Sequence, residues 1–220
     1  MIEYEIIRSG RKTLAIYITK DGQVKVRCNY KEKESKIKEF VNIKENWITK
    51  HLNNISKQPV TPLRSGSPVL YLGKEYEIVT TKDIFRFDKN NFYINGNADI
   101  YKELEAFYKE RAKAVLPDMV HKKEEIMKLY ASDIKITSAA TRWGSCSAKN
   151  NLNFPWMLMM ADPEVINYVI VHELAHIKEK NHGKNFWAVV GKYQPDYKDR
   201  KEQLRILERR IQRECWNRKS

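Results

Sequence analysis

Three observations along this chain predict an α+β protein, with strands first and helices second. Short β-branched stretches recur through residues 3–94, and apolar residues at helical spacing take over from Asp99. A strand pair, Ile134–Ala139 and Asn151–Trp156, then interrupts the helices. The change of pattern predicts two parts: 1–97, mainly β with short helices, and 98–220, mainly helical with a small sheet. At 220 residues, 42% hydrophobic and 11% aromatic, the chain can bury a real core and is not of the disordered class.

In order, residues 3–8, 12–19 and 23–28 read as strands, the last two joined at Lys20-Asp21-Gly22, a hairpin turn signal. Two short helices follow, Glu34–Val41 and Ile43–Ser56, with Trp47 expected in the core and His51 at the surface. Residues 58–68, rich in Pro, Ser and Gly, are linker-like. Val69–Leu72 and Glu75–Thr80 form a hairpin around Gly73-Lys74, and Ile84–Phe87 pairs with Phe92–Ile94 around residues 88–91. Ile100, Leu104, Phe107, Tyr108 and Ala112 make one helix. A break or kink is expected at Pro117-Asp118 before helix resumes from Met119 to Tyr130. Asp162-Pro163-Glu164 starts another helix, with proline and an acid in its first turn. Phe186–Val190 is a short apolar segment, and a last helix runs from Lys198 to about Asn217.

The helix after Asp162 carries the chemistry. His172-Glu173-Leu174-Ala175-His176 spells H-E-x-x-H, which stacks two imidazoles one turn apart so that both can reach a single ion. Glu173, beside the first histidine, can hold the proton of a metal-activated water. Zinc suits the set because it accepts neutral imidazole nitrogen and leaves a position open for catalysis. Val169, Ile170, Val171, Leu174, Ala175 and Ile177 make the helix apolar nearly all round, so polar groups inside it need a compensating partner. Two residues compete as third ligand. Glu179 stays on the metal face of a straight helix; His182 needs a bend, since an unbroken helix at roughly 100° per residue turns it away. Asn181 and Gly183 tolerate left-handed backbone and make that bend cheap, and neutral imidazole completes a three-histidine set, which favours His182.

Cys28, Cys146 and Cys215 are odd in number and widely spaced, which argues against a disulfide framework and against thiolate-held zinc. No general base is identifiable beside Cys146, so it is not read as a nucleophile. The net charge of +13, from 41 Lys+Arg against 28 Asp+Glu, admits nucleic acid as a partner without requiring it. No apolar run approaches the ~20 residues needed to cross a bilayer and the N-terminus lacks a signal core, so no membrane partner and a cytoplasmic location are expected.

Three blocks in this order, TRWGSCS (141–147), NYVIVHELAH (167–176) and NHGKNFW (181–187), resemble the YgjP-like zinc metallopeptidases, which are related to the SprT-like proteases. The resemblance extends to the N-terminal β region and to the PDY-K-R-L pattern from Pro195. It implies a zincin-like helical catalytic part and a zinc metalloprotease acting on peptide or protein. His172, His176 and His182 would hold Zn2+, with Glu173 as general base. Two alternatives stand beside it: a nucleic-acid-associated zinc protease acting on DNA-bound proteins, and a zinc-dependent hydrolase of a non-peptide amide. A second oxyanion donor is needed, and Arg142, Tyr193 and Tyr197 are the candidates. Trp143 and Gly144 read either as the rim of a substrate cleft or as a core plug and a turn residue.

Overall fold

The structure is a computed structural model that describes residues 2–19, 22–56, 61–139 and 141–216. The expected turn residues Lys20 and Asp21, linker residues 58–60 and Asn217 lie outside them. The chain forms two compact units, Met1–Val60 and Thr61–Ser220. Among the described residues, no helix is long and apolar enough to cross a membrane.

The first unit has strands β1 (Glu5–Ser9), β2 (Ala15–Ile18) and β3 (Val24–Asn29) in the order β1-β3-β2, followed by helices α1 (Glu34–Ile43) and α2 (Glu45–Ser56). β1 runs parallel to β3 and β2 antiparallel. Alternation along β3 turns Val24, Val26 and Cys28 inward onto Ile37, Val41 and Ile48. Trp47 is not the core anchor expected of it: it is 42% exposed and packs at a tilt against His51, ring centroids 4.1 Å apart. Ile48 takes the core position, and Trp47, one residue earlier, is rotated about 100° off the buried face.

The second unit begins with β4 (Pro68–Tyr71), β5 (Lys74–Thr81), β6 (Arg86–Phe87) and β7 (Asn91–Asn95), ordered β4-β5-β7-β6, with β5 and β7 parallel. The expected division at 97/98 falls inside this unit. Val69, Tyr71, Ile78 and Phe92 of the sheet share one core with Leu104, Tyr108, Ala112 and Leu116 of the helix that follows, so neither part is a separate body. That helix, α3 (Ile100–Met127), is continuous through Pro117, contrary to the expected break. Its buried residues recur at Leu104, Tyr108, Ala112, Leu116 and Val120, a stripe that spans the proline. The carbonyl that loses its partner belongs to exposed Lys113, where water can serve it.

β8 (Asp133–Thr137) and β10 (Asn151–Pro155) pair in parallel, and β9 (Ser145–Cys146) lies antiparallel on the other side of β10 as an edge strand. A buried 3₁₀ helix, Trp156–Met160, leads into α4 (Pro163–Lys178), which is followed by α5 (Lys184–Tyr193) and α6 (Tyr197–Arg213). The start of α4 is fixed twice. Asp162 caps it by accepting from Glu164 N at 2.9 Å. The β4–β5 turn docks alongside, Leu72 N donating to Met159 O at 2.8 Å. Gly73 closes that turn with φ +75°, and a Cβ there would sit 2.8 Å from Asp162 Cα, so no side chain fits.

Candidate metal centre

Helix α4 is buried along most of its length, with Val169, Ile170, Val171, Leu174 and Ala175 all inside, so the main chain of His172-Glu173 and His176 is held by packing on several sides. The helix stops after Lys178. Glu179 takes an extended backbone (φ −124°, ψ 101°) while its N–H still bonds Ala175 O at 2.9 Å. This is the bend His182 needs, made differently from the expectation: neither Asn181 nor Gly183 has positive φ. Gly183 instead precedes α5 in an extended conformation. Lys180 Nζ donates to Asn150 Oδ1 at 2.7 Å and ties the bend to the turn before β10.

The bend returns His182 to the helix. Its Nε2 lies 3.0 Å from His172 Nε2 and 3.2 Å from His176 Nε2, and all three ligand atoms fall within 4.8 Å of one another. A tetrahedral zinc with bonds near 2.0–2.1 Å spaces its nitrogens about 3.3 Å apart, so the donor set fits such an ion with little adjustment. The tautomer fits too. His176 Nδ1 lies 3.0 Å from Glu179 O, a carbonyl that can only accept, so Nδ1 carries the proton and the neutral ring presents its Nε2 lone pair. Glu179 thus meets the site through its main chain, not its carboxylate. Burial, with the neighbouring histidines and Lys201 adding to it, pushes His172 down to about 3. His176 is lowered chiefly by burial. His172 Nδ1 is buried without a partner among the described residues.

Beneath the imidazoles sits Phe186 of α5, fully buried, with ring centroids 4.8, 4.5 and 4.7 Å from His172, His176 and His182. Trp187 flanks it, 5.9 Å from His172 and stacked at 5.9 Å on His182. Phe186→Ala should destabilise the metal-free protein by about 3–5 kcal/mol and weaken metal retention, with Phe186→Leu recovering most of the loss. Denaturant unfolding of the metal-free variants measures this, and a loss under about 1 kcal/mol would mean the ring is not a packed support.

Glu173 is 6% exposed, and burial raises its carboxyl to about 7 against the opposing charge of Arg142. Together with His172 it lines a cavity of about 300 Å³ whose walls include Trp143, Gly144 and Tyr168. Gly144 abuts the carboxylate: a Cβ there would stand 2.6 Å from both Cγ and Oε1 of Glu173. Gly144→Ala must therefore displace Glu173. Peptidase activity is expected to fall about 10²-fold with metal content unchanged, because a misplacement of roughly 1 Å costs that much. Equal activity in the two proteins would sink this reading of Gly144.

The other residues singled out in the sequence fall in different places. Trp143 and Gly144 reach the cavity, whereas Arg142 lines a smaller neighbouring one with Trp143 and Glu208. Tyr197 stacks on Trp187 at 5.1 Å. Tyr193, under the Lys192 ammonium at 4.9 Å, is not among the cavity's walls. Cys146 is half-buried in β9, and burial raises its thiol. Sequence reasoning passed over Tyr168, whose ring lies 5.9 Å from that of His172, as well as Phe186, Trp187 and Lys201. Only Tyr168 carried a local signal, since it precedes His172 by four residues on the same helical face.

Two solved structures show similarity to the chain. The metallopeptidase zymogen of Pyrococcus abyssi abylysin is 20% identical, covering 42% of this chain and 93% of that one, with a TM-score of 0.39. The metallopeptidase zymogen of Methanocaldococcus jannaschii jannalysin is 27% identical, covering 44% and 97%, with a TM-score of 0.38. Overlaps this loose carry no weight for the site. No curated protein is significantly similar. Residues 12–206 match the sequence model of the family described as YgjP-like, metallopeptidase domain. That match runs from just before β2 through both histidine blocks into α6 and spans well over half the chain, which therefore belongs to the YgjP-like metallopeptidase family.

Proposed function

We infer that the protein is a zinc-dependent peptidase in which His172, His176 and His182 hold the ion and Glu173 is the general base. The observation that carries this is the convergence of three imidazole Nε2 atoms at 3.0 and 3.2 Å beside a buried carboxylate, in a chain of a metallopeptidase family. When bound, zinc supplies Lewis-acid activation of a water and of the scissile carbonyl. Glu173, fixed between α4 and the backbone of Gly144, takes the proton of the attacking water and returns it to the leaving amine. Phe186 and the Glu179 carbonyl set the imidazole planes and the His176 tautomer. Among the described residues the edge strand β9 has one side unpaired, and an extended peptide can add to it by main-chain hydrogen bonds. Zinc at a closed structural site would have no use for a carboxylate such as Glu173 beside its ligands.

The test is metal analysis and hydrolysis of unfolded protein or blocked peptides by the purified chain. About one zinc per chain is expected, with cleavage lost on chelation and restored by zinc. A metal-free protein with no zinc affinity, or cleavage indifferent to chelation, overturns the reading.

A further inference from the structure

The cavity beside Glu173 has a chemical character of its own. Its floor is apolar, Val169 of α4 and Leu204 of α6 both being buried, with Trp143 as a side wall. Its α6 edge is charged: Lys201 and Arg205, one helical turn apart, face the same space as His172 and Glu173. Lys201 Nζ lies 5.3 Å from the Trp187 ring centroid, and Trp187 in turn is packed on His172 and His182. Among the described residues Lys201 has no carboxylate partner. Arg205 is paired, among the described residues, only with Glu202, at 2.9 Å, with both side chains more than half exposed, a pair that gives way readily to a better ligand. The one acid on the cavity wall beside Glu173 is Glu208, which also borders the neighbouring space holding Arg142.

Apolar walls with Lys201 and Arg205 along one edge match a side chain with a short aliphatic stem and a terminal carboxylate. A volume of about 300 Å³ admits such a side chain together with its water. A lysine or arginine there would meet Lys201 and Arg205 as like charges and could pair only with Glu208 or with the base Glu173, whereas leucine would leave the cations unengaged. We propose that this cavity is a substrate side-chain subsite, and that it selects an acidic residue, glutamate above all, beside the scissile bond through Lys201 and Arg205. The proposal rests on the peptidase reading above.

Cleavage sites mapped by mass spectrometry on matched amidated and free-acid peptide libraries test it with the zinc-loaded full chain. Glutamate should exceed lysine at one position flanking the cut by about tenfold or more. Lys201→Glu and Arg205→Glu should invert that ratio and Lys201→Arg should keep it. Arg213→Glu, an exposed reversal on α6 outside the cavity, should leave it unmoved. A parallel measurement needs no turnover: matched glutamate and lysine peptides are titrated onto zinc-loaded Glu173→Gln protein, where the glutamate peptide should bind about tenfold tighter and Lys201→Glu should reverse the order. A flat profile, or Lys201→Glu and Arg213→Glu acting alike, overturns the subsite while the peptidase stands. Preference for peptides with a free C-terminal carboxylate, with none for glutamate in the amidated set, overturns it in favour of chain-end recognition. Charge-dependent binding without wild-type cleavage sinks the peptidase reading and, with it, the subsite's place beside a scissile bond.

Discussion

Glu173→Gln is expected to abolish hydrolysis while leaving zinc bound and the fold unchanged. Glutamine preserves shape and packing inside a site where 6% of the residue is exposed, so the core around α4 is not disturbed. What it removes is the ability to accept a proton, and general-base catalysis of that kind contributes about 10²–10⁴ in rate. The measurement pairs metal content with turnover on one preparation. Zinc lost from a folded variant would show that the carboxylate is a ligand. Retained activity would show that another group moves the proton.

The second large effect concerns the ion itself. His182→Ala should empty the site, whereas Glu179→Ala should retain zinc at the wild-type level. Two histidines left on α4 form a weaker chelate, and a loss of at least about 10²-fold in affinity is expected, at or beyond the upper end of what outer-shell changes cost. Glu179 contributes its carbonyl to His176 Nδ1, and alanine keeps that carbonyl. Bound zinc at equal protein concentration distinguishes the two. If the Glu179 variant alone loses metal, α4 runs straight in solution and the ligand assignment fails.

Much of this arrangement was legible in the residues, because the relevant signals are local. The H-E-x-x-H spacing is a property of one helix, and the cap at Asp162 and the turn at Gly73-Lys74 are each written within a few residues. What was not legible depends on partners distant in the chain. Trp47 and Ile48 both sit at helical spacing in the sequence, and only packing against β3 decides that Ile48 holds the inward position. Pro117 reads as a break in isolation, yet burial of the stripe from Leu104 to Val120 outweighs one lost hydrogen bond. The parallel pairing of β5 with β7 carries no sequence mark distinct from a hairpin. Gly144 is the clearest case: its nearness to Glu173 joins an edge strand to a helix, and no spacing rule could anticipate it.

The contribution of Glu179 through its carbonyl has a consequence for which sequences can build this site. A function carried by the main chain is blind to the side chain mounted on it, so position 179 should accept nearly any amino acid without loss to the centre. Proline is the exception. Its ring would hold φ near −65° where the backbone needs −124°, and it would delete the N–H that bonds Ala175 O. Gly144 presents the opposite case, a main-chain position whose tolerance is set by the carboxylate pressed against it. Variation across natural or engineered sequences would therefore make residue 179 look dispensable and residue 144 indispensable, although each serves the site through its backbone.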